Sequence, residues 1–337
     1  MTKTIAVTGG LGFIGSHTVV ELIEAGYSPV IIDNLSNSTL SVLDGIEKIS
    51  GIRPTCYTLN VLETSELEAI FNTHQVDAVI HFAAFKAVGE SVLKPLDYYH
   101  NNVGGLISLL NAMKNTGRNQ LVFSSSCTVY GQPQTLPVTE NSPFSKAESP
   151  YGQTKKIGEE MLMDISKTGM KTISLRYFNP VGAHPSALIG ELPLGIPNNL
   201  VPFITQTAAG WRKQLTVFGN DYQTHDGTCI RDYIHVVDLA KAHVKAIEYL
   251  SKTEAMFTAF NIGTGQGLTV LEVIKAFEET TQIQLNYQIG LRRKGDIEKV
   301  WADSSKANAE LGWEAKFDLH QMMRDAWKWQ GQLPITI

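Results

Sequence analysis

The chain has 337 residues, 43% of them hydrophobic, enough for a sizeable core in two domains or one large one. A net charge of −5 with no basic block argues against nucleic acid, and no apolar run nears the roughly 18 residues of a membrane span. Cys56, Cys127 and Cys229 are far apart and odd in number, which argues against a disulfide framework or a metal site and for a reducing, cytoplasmic setting.

The first residues, MTKTIAVTGG, run straight into a strand pattern without a signal-peptide core. IAVTGG, PVIIDN, TCYTLNV, DAVIHFAA, QLVFSSS and TISLRYF follow one another as short, nearly all-apolar segments. Strands buried on both faces of a parallel sheet read this way. Amphipathic stretches lie between them, HTVVELIEAG and DYYHNNVGGLISLLNAMKNTG among them. The alternation predicts an α/β fold, a Rossmann-like doubly wound parallel sheet. After about residue 180 the texture changes to Gly-, Pro- and Asn-rich loops, then to helices at VVDLAKAHVKAIEYL and LTVLEVIKAFEETT. The reading is a dinucleotide-binding domain over 1–178, joined again by segments near 231–262, and a smaller C-terminal α/β substrate domain over 179–337.

In IAVTGGLGFIG, Gly9, Gly12 and Gly15 follow a strand and open a helix. The first permits the tight turn, the second lets backbone approach a pyrophosphate, and the third allows close helix packing. The helix start then offers unpaired N–H groups to the phosphates. Asp33 ends the next strand, where an acid accepts hydrogen bonds from an adenosine ribose and repels a 2′-phosphate, so NAD is favoured over NADP. Taken alone, Asp33 also suits a turn or a helix cap. Asn60 and Val61 close the third strand, where an adenine can be gripped; a plain strand end is the other reading.

FSSSCTVYG places hydroxyls at the end of the fifth strand, and SPYGQTKK comes next with Tyr151 and Lys155 one helical turn apart. Pro150 suits the first turn of that helix and Ser149 its cap. A free tyrosine titrates near pH 10. A neighbouring ammonium and an oxidised nicotinamide would favour the phenolate, which can take a proton from a substrate hydroxyl. Ser126 can share that hydrogen bond. Either feature alone is common in helices and strand ends; their order after the glycine loop and the acid is what gives them weight.

At these residues the chain resembles the extended short-chain dehydrogenase/reductase family. Its motifs are similar over nearly the whole length to the UDP-glucose 4-epimerase branch: TGGLGFIGSH, DNLSNS, VIHFAAFKAVGESVLKPLDYY, SSSCTVYG, SPYGQTK, LRYFNPVGAHPS, GIPNNLVPFI, FGNDYQTHDGTCIRDYIHVVDLA and WADSSKA. The resemblance implies reversible inversion at C4 of UDP-hexoses through a 4-keto sugar, with NAD held tightly. It implies cofactor contacts from Phe13, Ile14, Asn34, Asn37, Phe82, Ala83, Lys86, Asn101, Ser124 and Tyr177 as well. For Asn34 and Asn37 turn chemistry is the alternative, and for Phe82 core packing.

Related nucleotide-sugar 4,6-dehydratases carry Asp-Glu where this chain has Cys127-Thr128. Thr does not ionise and Cys titrates near pH 8.5, so elimination of water is disfavoured. Arg231 and Arg293 suit a diphosphate, being permanently charged and bidentate, although Arg231 beside Asp232 also suits an ion pair. Asn179, Asn199, Leu200, Phe218 and Asp296 resemble residues lining a UDP site, Lys86 and Thr128 are placed near the sugar, and Phe218 would otherwise read as core. Tyr130 lacks a lysine one turn away and is not taken as the base, and Ser125 is taken to pack or to turn the chain. The chain departs from the family pattern at Asn60, where Asp is common, and at Leu291, where Pro is. At Val300 the family varies, and a small residue beside the hexose would leave room for an N-acetyl group. The Tyr151 helix and the one near 96–116 resemble a homodimer contact. A reductase or decarboxylase of the same fold, or an NAD-binding regulator, remains an alternative.

Overall fold

The computed structural model describes residues 2–293 and 296–334. β1 (Thr4–Thr8), α1 (Phe13–Glu24), β2 (Ser28–Asp33), α2 (Val42–Ser50), β3 (Thr55–Thr58), α3 (Thr64–Thr73) and β4 (Ala78–His81) alternate without a break. Two short helices, α4 (Val88–Leu93) and α5 (Pro95–Tyr98), lead through a π-type turn at Tyr99–Gly104 into α6 (Gly105–Asn115). β5 (Gln120–Ser126), α7 (Pro150–Ser166) and β6 (Lys171–Tyr177) come next. The remaining chain forms β7 (Asn179–Val181), α8 (Leu200–Ala208), β8 (Leu215–Phe218), β9 (Ile230–His235), α9 (Val236–Leu250) and β10 (Phe257–Ile262). It ends with β11 (Gly267–Thr269), α10 (Val270–Thr281), β12 (Tyr287–Gly290), β13 (Lys299–Val300) and α11 (Leu319–Gln330).

Seven parallel strands lie in the order β3-β2-β1-β4-β5-β6-β10. Both faces are covered, which is why these strands carry apolar side chains at successive positions. One face packs Val19, Leu22, Ile31, Ile80 and Leu175 against Leu239 and Ile247 of α9. The other packs Ile32, Val79 and Leu121 against Leu67, Leu109 and Leu162. α9 and β10 thus complete the sheet from late in the chain. β7, β9, β11 and β13 form a second, small sheet, β8 pairs with β12, and α8, α10 and α11 share a core with them.

Strand register brings the functional ends into line. Thr8 lies beside His81 and Ile32, and Ser126 lies beside Tyr177. The carboxyl ends of β1, β2, β4, β5 and β6 therefore open on one edge, the ligand edge of a doubly wound sheet.

Two expectations need correction. The segment read as one helix near 96–116 is α5, a π-type turn and α6. Gly105 lies against Val61, where a Cβ would come within 2.8 Å of a valine methyl. Asn60 and Val61 do not close β3, which stops at Thr58. The Asn60 carboxamide oxygen accepts a hydrogen bond from Leu62 N at 3.1 Å and turns the chain there.

Among the buried histidines, burial pushes His17 and His81 down to about 3 and His243 down to about 4. In the unfolded chain each binds a proton near pH 6.5. Glu21, raised to about 7 by burial, works in the opposite sense with one proton. Between about pH 6.5 and 5 the unfolded state therefore holds about two more protons, and stability should fall by about 3 kcal/mol per pH unit on acidification. Urea midpoints across that window measure this, and a flat profile would show that the histidines are not buried neutral.

Candidate active site

The glycine loop is shaped by contact. Gly9 has φ +70, and a Cβ there would sit 2.8 Å from Ala83 N. A Cβ on Gly15 would fall on the Gly9 carbonyl oxygen. Gly12 caps α1 with no side-chain cap, so the N–H groups of Phe13, Ile14 and Gly15 open the helix without intrahelical acceptors. Asp33, buried at the end of β2, accepts from Leu11 N at 3.0 Å, Leu35 N at 2.9 Å and Ser38 Oγ at 2.8 Å. A carboxylate has about four lone-pair positions, so one remains open. Asn34 accepts from Ser36 N at 3.1 Å, the turn chemistry that was its alternative reading, and Asn37 is exposed. Phe82 is half-buried, with its ring 4.6 Å from that of His243.

At the end of β5 the sequence candidates converge. Ser149 Oγ accepts from Gly152 N at 3.1 Å, and with Pro150 in the first turn it starts α7 at the sheet edge. This brings Tyr151 to Ser126, whose Oγ also accepts from Thr128 N at 3.2 Å. Lys155 is 4% exposed and donates from Nζ to Ser124 O at 2.5 Å. The Ser124 and Tyr177 hydroxyls are in direct contact. Lys155 Nζ sits 4.9 Å from the centre of the Phe123 ring and 5.9 Å from that of Tyr151.

The charge balance differs from expectation. Burial raises the Tyr151 phenol to about 12, against a downward pull from Ser126, and lowers Lys155 to about 7. In the protein alone the ammonium therefore does not make the phenolate, because desolvation outweighs it for both groups. Burial also pushes the Cys127 thiol up to about 12. Thr128 Oγ1 is buried with no hydrogen-bond partner among the described residues. The Tyr130 hydroxyl donates to Asn261 Oδ1 at 2.6 Å and accepts from Arg176 Nη1 at 2.9 Å, so it is committed to the core.

Residues that no sequence motif singles out hold this arrangement. Asn102 accepts from Phe85 N and from Asn101 Nδ2, and donates to Phe85 O and Thr154 Oγ1, tying the loop after β4 to α7. Glu159, one turn beyond Lys155, is fully buried, in bidentate contact with Arg176 and bonded to Ser125 Oγ. Glu191 accepts from both Lys86 Nζ and Asn199 Nδ2. The i,i+4 spacing of Lys155 and Glu159 was a usable signal; Glu191 in its loop had none.

On the substrate side, Arg293 pairs with Asp296 at 2.7 Å, and its guanidinium lies 5.6 Å from the centre of the Phe218 ring, which is 43% exposed rather than core. Arg231 does not pair with Asp232. Asp232 is taken up by Thr264, Gly265 and Ala302, whereas Arg231 donates to Ile230 O. Asn179 opens β7 and Leu200 opens α8. Leu291 is 91% exposed. Val300 is buried and packs with Cys127, Val129, Tyr130, Val138 and Phe178.

The family model described as GDP-mannose 4,6 dehydratase matches residues 6–326. A UDP-glucose 4-epimerase of Dictyostelium discoideum is 53% identical over 98% of this chain and 96% of its own. One of Bacillus subtilis is 52% identical over 97% and 96%. Among solved structures, a UDP-glucose 4-epimerase from Stenotrophomonas maltophila, with bound NAD and formylated UDP-arabinopyranose, superposes with a TM-score of 0.96 at 49% identity, covering 98% of both chains. One from Bifidobacterium longum, in complex with NAD+ and UDP, gives 0.95 at 45% identity, again over 98% of both. With half of its residues shared along nearly its whole length, the chain belongs to the UDP-glucose 4-epimerase family of extended short-chain dehydrogenases/reductases.

Proposed function

We propose that the chain interconverts UDP-galactose and UDP-glucose by inverting C4, with NAD as its resident cofactor. The observation that carries this is the grouping of Ser126, Tyr151 and Lys155 at the ligand edge of the sheet, next to the glycine loop. The residues fit NAD: the loop leaves no room for side chains at Gly9 and Gly15, the first-turn N–H groups of α1 are open, and Asp33 keeps one acceptor position. Gly9, Gly12, Phe13, Ile14 and Gly15 would hold the pyrophosphate and Asp33, Asn34 and Asn37 the adenosine ribose. Asn60 and Val61 would take the adenine, and Phe82, Ala83, Lys86, Asn101, Ser124, Tyr151, Lys155 and Tyr177 the nicotinamide half. NAD bound there would supply the hydride acceptor and donor for C4, so no external reductant would be consumed.

The chain's own work is proton handling and grip. Tyr151 takes the C4 hydroxyl proton, directly or through Ser126, and returns it after the 4-keto sugar has turned about its diphosphate linkage. Lys155, with Nζ 5.9 Å from the centre of the Tyr151 ring, would add to the positive charge that bound NAD brings to the phenol. Arg231, Arg293, Asp296, Asn179, Asn199, Leu200 and Phe218 hold the UDP end, so the affinity resides there and the sugar stays free to turn. Thr128 offers the sugar an uncommitted hydroxyl. Elimination of water is disfavoured, because Cys127 keeps its proton and Thr128 cannot ionise.

The same proposal includes a homodimer through α6 and α7, where Ile107, Leu110, Met161 and Ile165 line an open groove of about 370 Å³. It also includes a cytoplasmic setting, supported by three free cysteines. Among the described residues no helix is long and apolar enough to cross a membrane.

Purified protein given UDP-galactose and no added cofactor should form UDP-glucose; absence of that product removes the proposal. Tyr151→Phe should lower the rate by roughly 10²–10⁴-fold with UDP binding nearly intact, the range for loss of a general acid–base. Because Tyr151 stays protonated up to about 12 in the protein alone, its tyrosinate absorbance should be missing at neutral pH once the cofactor is stripped. It should emerge at lower pH in the holoenzyme, as added positive charge favours the phenolate, and the rate should rise with pH through that transition. Equal titration in both forms would refute the assignment. With valine rather than tyrosine at position 300, UDP-GlcNAc and UDP-GalNAc should also interconvert, and no turnover at millimolar substrate would exclude this.

A further inference from the structure

We infer that Glu191 is a positioning residue that clamps the two halves of the site, holding Lys86 and Asn199 in place for the nucleotide sugar. The inference rests on the proposed function.

Lys86 lies beyond β4 on the seven-stranded side, and Asn199 precedes α8 in the smaller unit. Glu191 Oε1 accepts from Lys86 Nζ at 3.1 Å and from Asn199 Nδ2 at 2.8 Å. Asn199 stands at the N-cap of α8 yet makes no side-chain cap there, because its amide is turned to Glu191. Lys86 has half of its side chain exposed, and a lysine so placed samples many rotamers unless something holds its ammonium.

Glu191 can hold it because its own position is fixed from below. Its carbonyl accepts from Trp329 Nε1 of α11 at 2.9 Å. Gly190 lies flat on that indole, where a Cβ would come within 2.5 Å of the ring. The loop is closed on itself by His184 N to Ile189 O at 3.1 Å and by Lys328 Nζ to Pro185 O at 2.6 Å. Beneath it, Glu191, Thr205, Trp329 and Gln330 line a cavity of about 10 Å³. That is close to the least that holds one water. Gln330 Nε2, buried and without a partner among the described residues, is a donor for such a water.

A carboxylate beside a diphosphate site also has a cost that Lys86 offsets. With Lys86 present, its charge is paired; with Lys86 removed, it faces the incoming phosphates bare and repels them. This predicts non-additive substitutions.

The test is steady-state kinetics on the holoenzyme with UDP-galactose. Glu191→Ala should raise KM about tenfold, the scale of one hydrogen bond to a charged group, with kcat within about twofold. Glu191→Gln, which keeps the acceptor and loses the charge, should fall between wild type and Glu191→Ala. In a Lys86→Met background, Glu191→Gln should lower KM instead of raising it. Retained bound-cofactor fluorescence and an unchanged melting temperature establish that each variant is folded. Unchanged KM in a folded Glu191→Ala enzyme, loss in kcat alone, or additive effects in the double variant would overturn the inference. Lack of epimerisation by the wild type would overturn the proposed function instead.

Discussion

A carboxylate with no exposure to water holds the catalytic edge together. Glu159 lies inside the fold between α7, β5 and β6, and burying such a charge is costly unless it is paired and hydrogen-bonded. Here it is both: Arg176 of β6 grips it with two nitrogens, and Ser125 of β5 donates to it. Arg176 also reaches Tyr130 and Glu140 O, and Tyr130 reaches Asn261 on β10. The three elements joined at Glu159 carry Ser124 and Ser126, Tyr151 and Lys155, and Tyr177. Removing one partner would leave an unpaired charge in the core, so the relative positions of the reacting groups are tied to the stability of the fold.

That arrangement leaves the site short of positive charge. Lys155 is buried against Phe123 and a backbone carbonyl, and Glu159, its favourable neighbour, is already engaged by Arg176. The phenol of Tyr151 accordingly keeps its proton. On the proposed role of Tyr151, a site that gains its base only with a cationic ring present would not abstract protons from sugars without one.

Much of this was legible in the sequence, for physical reasons. β1, β2 and β4 read as strands because they are short, largely apolar and buried at nearly every residue, and the glycine loop is legible because backbone contact forbids side chains there. The Ser149-Pro150 start of α7 is local chemistry and reads directly. What was not legible depends on distant contacts. Segments near 231–262 were expected to rejoin the first domain, but that FTAFNI is the seventh strand, beside β6, shows only once α9 has carried the chain back across α1. The close approach of Val61 to Gly105, just after the π-type turn, joins positions far apart in the chain. Asn102 and Glu191 are polar residues with partners as distant as Thr154 and Lys86, and no periodicity marks them; Glu159 is marked only by its i,i+4 spacing from Lys155, which does not reveal Arg176. Val300 was placed beside the sugar by analogy, and its packing with Cys127 and Phe178 is a long-range contact that the sequence does not display.

The same cluster bears on which reaction the site supports. Cys127 sits in an apolar pocket with Val129, Val138 and Val300, behind the hydroxyls of Ser126 and Thr128. An acid–base pair able to expel a hydroxyl from the sugar would have to ionise there, and desolvation opposes a charge in that pocket as it opposes the thiolate. The same burial that raises the Cys127 thiol would disfavour an ionised group at this position. On the proposed role of Tyr151, a 4-keto sugar formed there would be reduced again rather than dehydrated, and the face presented on its return would decide the product.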